Sequence, residues 1–299
     1  MLEFRPVKLK DKEWMKPILL SQNSRSADFC FGNIYVWDRK YKLLAARYED
    51  SVILKNFEYD VPMYSYPAGR GDLKSAVDEI IADARSGGYT PVLCGVEKNG
   101  VKELTEIYNG AFTFEQDTDE SDYIYLAEKL STFSGKTLHG QKNHCNRFEK
   151  EHEWEFKKLT REMIPECLDM LRSWTETNKD RLDRSIILEH DAAMKGFASY
   201  ESLDFLGGVL FADGQIAGYS VGERNCDDTF DVHFEKALAD MPGAYTMVCR
   251  EMTKLAVETY EGIKYINREE DMGLERLRKA KMELKPEFIL EKYIGTYLG

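Results

Sequence analysis

The sequence predicts an α/β chain of the α+β kind, with two domains, each a mixed, mainly antiparallel sheet flanked by helices. Three observations carry this expectation. The 299 residues exceed the roughly 100–200 of a typical single domain. Short β-rich runs alternate with segments of helical spacing along both halves of the chain. An Asp-Gly pair, Asp213-Gly214, stands between two β-rich runs, the strongest short-range signal for a hairpin.

In the first half, NIYVW, YKLLAARY, SVILKNF and PMYSY, between Asn33 and Tyr66, read as an antiparallel meander with turn residues between the runs. Asp72 then caps LKSAVDEIIADARS, whose apolar residues at 73, 76, 77, 80, 81 and 84 follow helical spacing, and Gly87-Gly88 ends it. PVLCGV reads as a strand, GVKELTEIY as a helix, and AFTFEQ and DYIYLA as two strands separated by DTDE, a solvated loop. The aromatic-rich FCFGNIYVWDRKY reads as core rather than as a surface for stacking bases.

In the second half a helix is expected from about Leu138, introduced by Ser134-Gly135, followed by helices over IPECLDMLRSWTETNK and from about Leu188 to Ser199. The Asp213-Gly214 hairpin, the strand TFDVHFEKAL, a helix from Ala244 to about Tyr260, the short strand IKYIN, a helix from about Leu274 and the strand FILEKYI complete the chain. Helix, helix, three antiparallel strands, helix, strand, helix, strand is the order of the GNAT acyltransferase fold, and the first half has a similar order. Two GNAT-like domains are therefore expected, residues 1–130 and 131–299, the second including a basic linking helix over 138–150.

A composition of 43% hydrophobic and 31% charged residues excludes a disordered or fibrous chain. No stretch approaches the roughly 20 apolar residues needed to span a bilayer, so a cytoplasmic protein without a transmembrane segment is expected. The six cysteines are scattered singly and read as reduced thiols, with no disulfide frame or metal site. A net charge of −12 argues against a surface that grips nucleic acid throughout, because phosphate binding needs a basic footprint. A local strip is another matter: from Lys129 to Arg147 there are four Lys or Arg and two His, and no Asp or Glu.

Candidate site residues follow from local pattern. In TFDVHFEKAL the period of two places Asp231, His233 and Glu235 on one face, and His233 or Glu235 with a tuned pKa could accept a proton from an attacking amine or hydroxyl. A solvated polar face is the plainer account. On the 138–150 helix, Lys142, Asn143, Asn146, Arg147 and Lys150 share a broad polar face that could hold phosphates. At the end of KYIN, Asn267 and Arg268 emerge where open α/β sheets bind ligands. Asp271 stands at the N-cap position of the next helix, serving as cap or as catalyst. Leu274, Leu277 and Leu284 mark that helix's buried face, leaving Arg278 and Lys281 on its flank, able to stabilise a phosphate or a developing oxyanion. Dipole-favoured charge order along the helix is the plainer account of that order, though it does not explain why Asn267-Arg268 lies directly at the strand end.

SGKTLHGQKNHCNRFEKEH (134–152), VHFEKAL (232–238) and INREEDMGLERLRKAKMELKP (266–286), in that order, resemble the phosphatidylglycerol lysyltransferase C-terminal domain family. The family looks like tandem GNAT folds related in plan to Fem-type peptidyltransferases. The resemblance implies transfer of an amino acid from aminoacyl-tRNA to an amine or hydroxyl acceptor, either a small molecule or a lipid head group, with the basic strip against the tRNA acceptor stem. No separate cofactor is required; aminoacyl-tRNA or acyl-CoA would be the donor substrate. GNAT enzymes that use acetyl-CoA cradle its pyrophosphate on Q/R-x-x-G-x-G/A, whereas ADMPGAYTM here keeps only Gly243, a candidate for close backbone approach. An acyl-CoA-dependent N-acyltransferase and a non-catalytic ligand- or RNA-binding protein stay open as alternatives. The absence of G-x-S-x-G, Walker A and H-E-x-x-H leaves hydrolase, nucleotidase and zinc-peptidase readings without support.

Overall fold

The computed structural model describes residues 2–57, 61–177 and 184–299. Its elements are β1 (Arg5–Pro6), α1 (Lys12–Gln22), α2 (Phe31–Val36), α3 (Asp38–Tyr41), β2 (Leu44–Tyr48), β3 (Ser51–Asn56), β4 (Met63–Ser65), β5 (Ala68–Gly69), α4 (Leu73–Ser86), β6 (Val92–Glu97), α5 (Lys98–Ile107) and β7 (Phe112–Leu126). There follow α6 (Ala127–Thr132), α7 (His139–Glu151), β8 (Trp154–Lys158), α8 (Ile164–Thr177), α9 (Arg184–Ala198), β9 (Leu206–Ala212), β10 (Gln215–Arg224), β11 (Thr229–Ala237), α10 (Ala244–Thr259), β12 (Tyr265–Asn267), α11 (Glu275–Glu283) and β13 (Phe288–Tyr297). The expected tail of α8 at Asn178–Lys179 lies outside the described residues.

The chain divides into two compact units. The first comprises Met1–Asp122, Glu270–Leu274 and Ile289–Gly299; the second comprises Tyr123–Glu269 and Glu275–Phe288. In the first unit the strand order is β1-β2-β3-β4-β6-β13-β7. The β2–β3, β3–β4 and β6–β13 pairs are antiparallel and β4–β6 is parallel. Helix α4 covers this sheet with Ala76, Val77, Ile80, Ile81 and Ala84, packed with Ile53, Tyr64, Leu93 and Val96. Its start is set as expected: the Asp72 carboxylate accepts the Ser75 N–H at 2.7 Å, a cap contributing about 1 kcal/mol.

In the second unit the end of β7 pairs with β12, and β11, β10, β9 and β8 follow. Only β11–β12 among these pairs is parallel. The hairpin turns at Asp213 (φ 50°) and Gly214 (φ 80°), two left-handed residues that match the right-handed twist of β9 and β10. Helix α10 packs across β9, β10 and β11. Both units thus show the mixed, mainly antiparallel sheet with flanking helices that the element order predicts.

Four local expectations are corrected. NIYVW is helix α2 rather than a strand: its Phe31, Gly32, Ile34 and Val36 are buried, and this packing overrides the β preference of aromatic and branched residues. AFTFEQ, DTDE and DYIYLA form one strand, β7, so DTDE is not a loop. WEFKK forms β8, unanticipated, as a partner for β9. Leu274, Leu277 and Leu284 are half-buried rather than core.

Candidate functional site

Strand β11 positions the second unit's titratable cluster. The register between β10 and β11 slips between Val221 and Gly222, so that Phe234 faces Val221, Val232 faces Gly222, and His233 between them has no opposite residue. This bulge re-aims the imidazole away from simple alternation. It also demands glycine opposite: a Cβ on Gly222 would meet the Asp231 carbonyl oxygen at 1.9 Å.

The wholly buried His233 side chain lies among carboxylates. Its Nδ1 is 2.9 Å from Glu269 Oε1 and 3.7 Å from Asp231 Oδ2, and its Nε2 is 3.3 Å from Glu223 Oε1. Burial opposes charge on the ring, yet the bonds to Glu223 and Glu269 and the Asp231 charge outweigh it and hold the His233 pKa well above its ordinary value. The ring is therefore an imidazolium at neutral pH, donating from both nitrogens. Asp231, His233 and Glu269 present ligand atoms within 4.8 Å of one another, a spacing that suits a metal ion. In the metal-free cluster these carboxylates share the ring's proton; a metal ion held by the same atoms would take that proton's place, because ligation needs the neutral imidazole.

Beside it, Arg268 forms a two-pronged bridge to Glu235, Nη2 to Oε1 at 2.8 Å and Nη1 to Oε2 at 3.2 Å. Arg268 Nη1 also lies 3.1 Å from Cys249 Sγ. Burial pushes that thiol up to about 12, against the pull of Arg268, so Cys249 is not a nucleophile at neutral pH. Asn267, fully buried, accepts the Glu269 N–H at 2.6 Å on its side-chain oxygen. Lys281 reaches back from α11 to the carbonyl of Arg268 and, at 3.0 Å, to that of Glu269. The segment after β12 is thus held residue by residue: Arg268 by Glu235, Glu269 by His233, and their backbone by Lys281.

The remaining sequence candidates are placed differently. Asp271 is buried, but α11 begins at Glu275; the carboxylate accepts the Gly273 N–H at 2.9 Å and closes a turn before the helix rather than capping it. Arg278 is exposed on α11, so Arg278 and Lys281 diverge. Lys142, Asn143 and Arg147 lie on the exposed face of α7, where Asn143 meets His139 at 3.2 Å and Arg147 pairs with Glu151 at 2.9 Å. Gly243 opens α10 with φ 96°, and a Cβ there would meet the His144 carbonyl of α7 at 2.7 Å, so its close approach is to a helix.

Sequence reasoning missed a cavity of about 150 Å³ within the first unit. Phe29, Ile34, Trp37, Tyr41, Leu54 and Met63 supply much of its apolar wall, and Asp28, Asp117, Glu120 and Glu270 line it with carboxylates. Lys292, also lining it, is 2% exposed and bridges Asp122 at 2.8 Å and Asp28 at 3.0 Å. Burial first, then the charge of Glu270, raises Glu120 to about 8. DTDE, containing two of these acids, was the available signal.

A family model described as phosphatidylglycerol lysyltransferase, C-terminal, matches residues 21–295. A conserved protein of unknown function from Bacteroides thetaiotaomicron VPI-5482 is 33% identical, with a TM-score of 0.93 over 99% of this chain and 100% of that one. L-PGS from Bacillus licheniformis, 16% identical, superposes with a TM-score of 0.67 over 98% and 93% of the two chains. FemX, 10% identical, does so at 0.61 over 98% and 96%; both show a shared fold. An uncharacterized protein of Mycoplasmoides gallisepticum is 26% identical over 208 residues, and the match spans 64% of that curated relative. Among the described residues no helix is long and apolar enough to cross a membrane.

Proposed function

The chain belongs to the phosphatidylglycerol lysyltransferase C-terminal family, and from that premise we propose that it is an acyltransferase moving an aminoacyl group from aminoacyl-tRNA to an amine or hydroxyl acceptor. The observation that carries this reading is the extent of the family match, residues 21–295, which takes in most of both units. In the reaction the acceptor's nitrogen or oxygen bonds to the aminoacyl carbonyl carbon and the ester bond to the tRNA ribose breaks. The acceptor's proton ends on the ribose oxygen. An aminoacyl-tRNA donor would place the reaction in the cytoplasm.

In this reading His233 and Glu235 are positioning residues. His233, buried, is a cation among carboxylates and Glu235, half-buried, is committed to its bridge with Arg268, so the pair holds Arg268 and Glu269 in place. The exposed Lys142 and Lys150 of α7 are the surface proposed to meet tRNA phosphates. Gly243, packed on α7, gives the acyl-CoA donor no specific support.

The test mixes the purified chain with bulk tRNA carrying radiolabelled amino acids and offers lipid extract and small amines or alcohols as acceptors. The expected result is a salt-sensitive complex and movement of label into an acceptor, the bond being alkali-labile for a hydroxyl and alkali-stable for an amine. Absence of binding at low salt, together with label that stays on tRNA for every acceptor, overturns the reading.

A further inference from the structure

We propose that the first unit's cavity is a binding site for a compact organic ammonium ion. The proposal does not rest on aminoacyl transfer. It starts from charge: four acids, Asp28, Asp117, Glu120 and Glu270, line the space, against one lining ammonium, Lys292, which bridges Asp28 and Asp122, and Lys40 beside it. Carboxylates crowded around unfilled volume favour an entering cation over an acyl-CoA or phosphate, whose charge they repel.

The wall suits an ammonium in two further ways. The ammonium of Lys40 stands 5.6 Å from the Trp37 ring centroid and 4.2 Å from that of Tyr41, two rings that line the cavity, so aromatic surface beside this wall already stabilises a cation. A volume of about 150 Å³ accommodates a body the size of benzene, hence an amine of roughly six to eight heavy atoms.

Protonation supports the assignment. The titratable groups facing the cavity are Asp28, Asp117, Glu120, Glu270, Lys292, Cys94, Tyr41 and Tyr66, with Lys40 beside it. Burial raises Asp28 and Asp117 and takes Cys94 up to about 12. Glu120, raised to about 8, changes charge near neutrality. A bound cation favours its carboxylate, so binding releases a proton below pH 8 and tightens as pH rises toward that value.

Calorimetry on the full chain, with butylamine and cadaverine as probes and butanol and butyrate as controls, tests this without tRNA, so failure here leaves the transfer reading standing. Both amines are expected to bind at least tenfold tighter than butanol, butyrate not to bind, and amine affinity to rise several-fold from pH 6.5 to 8.5. Glu120→Gln should weaken the amines about tenfold and flatten the pH dependence; should it fail to fold by circular dichroism, Asp117→Asn carries the same expected loss of affinity. Amines that bind no better than butanol, or an affinity unmoved by the folded variant, overturn the proposal. Amino-acid methyl esters distinguish the source of the ammonium: esters tighter than free amines assign the site to a donor's aminoacyl group, and free amines tighter than esters assign it to an acceptor. Equal failure of both overturns it.

Discussion

The two units handle buried carboxylates in opposite ways. In the second, each acid has a cation in direct reach: Glu235 has Arg268 in a two-pronged bridge, and Glu223, Asp231 and Glu269 share the imidazolium of His233. In the first, Asp28 and Asp122 share Lys292, while Asp117, Glu120 and Glu270 line a space the protein leaves open. Acids packed directly on a shared cation make an architectural network, whereas acids crowded around a cavity cost stability that an entering cation offsets. The sign of a neutralising substitution should therefore differ between the two places.

The largest effect is expected from Arg268→Met. It leaves Glu235 buried without its bridge and should cost about 3–5 kcal/mol in chemical denaturation, while a double replacement with Glu235→Leu should recover much of the loss. A single variant as stable as the parent would break the contrast at once.

His233→Gln should cost about 2–4 kcal/mol at pH 6, because three carboxylates lose their shared cation. The sign with pH follows from a folded pKa above the unfolded one. The stabilisation is complete below the unfolded value of about 6.5 and is lost as pH rises through the folded value. Denaturation midpoints measured from pH 6 upward should show this decline in the parent and not in the variant.

Gly222→Ala is expected to cost about 2–4 kcal/mol, since its Cβ collides with the Asp231 carbonyl across the bulge. If its cost is only that of an ordinary strand position, the bulge does not aim His233.

Glu120→Gln sharpens the comparison because its sign is reversed. A carboxyl whose folded pKa is raised to about 8 destabilises the fold progressively as pH climbs from the unfolded range to 8. At pH 8.5 the variant should be more stable than the parent by about 1–2 kcal/mol, with allowance for water in the open cavity, and indistinguishable from it near pH 4. Thermal melts at the two pH values read this directly.

The smallest effect is on the surface of α7. Lys142→Ala with Lys150→Ala should leave stability within about 0.5 kcal/mol and reduce the salt dependence of tRNA binding by about one unit of slope per lost phosphate contact.

Parts of the site were legible because their signals are local. Alternation along TFDVHFEKAL marked Asp231, His233 and Glu235, and a strand ending in Asn267-Arg268 marked the segment they hold. The cavity was not legible. Asp117 and Glu120 lie in DTDE, whose composition is that of a loop, and it becomes strand only because β7 has a place in a sheet. Lys292 and Asp28, which meet at 3.0 Å, are 264 positions apart in the chain. Nothing local marks such a pair.

What the sequence by itself determined is whatever a few neighbouring residues decide: the Asp72 cap, the Asp213-Gly214 turn, the spacing of α4, and the order of elements that announces the fold class. Tertiary structure alone decided that NIYVW is helical, that a bulge turns His233 into its cluster, and that β13 lies between β6 and β7. Propensity and capping act over one or two turns of chain. Burial, register and charge matching act between segments whose separation in sequence carries no record of their meeting in space.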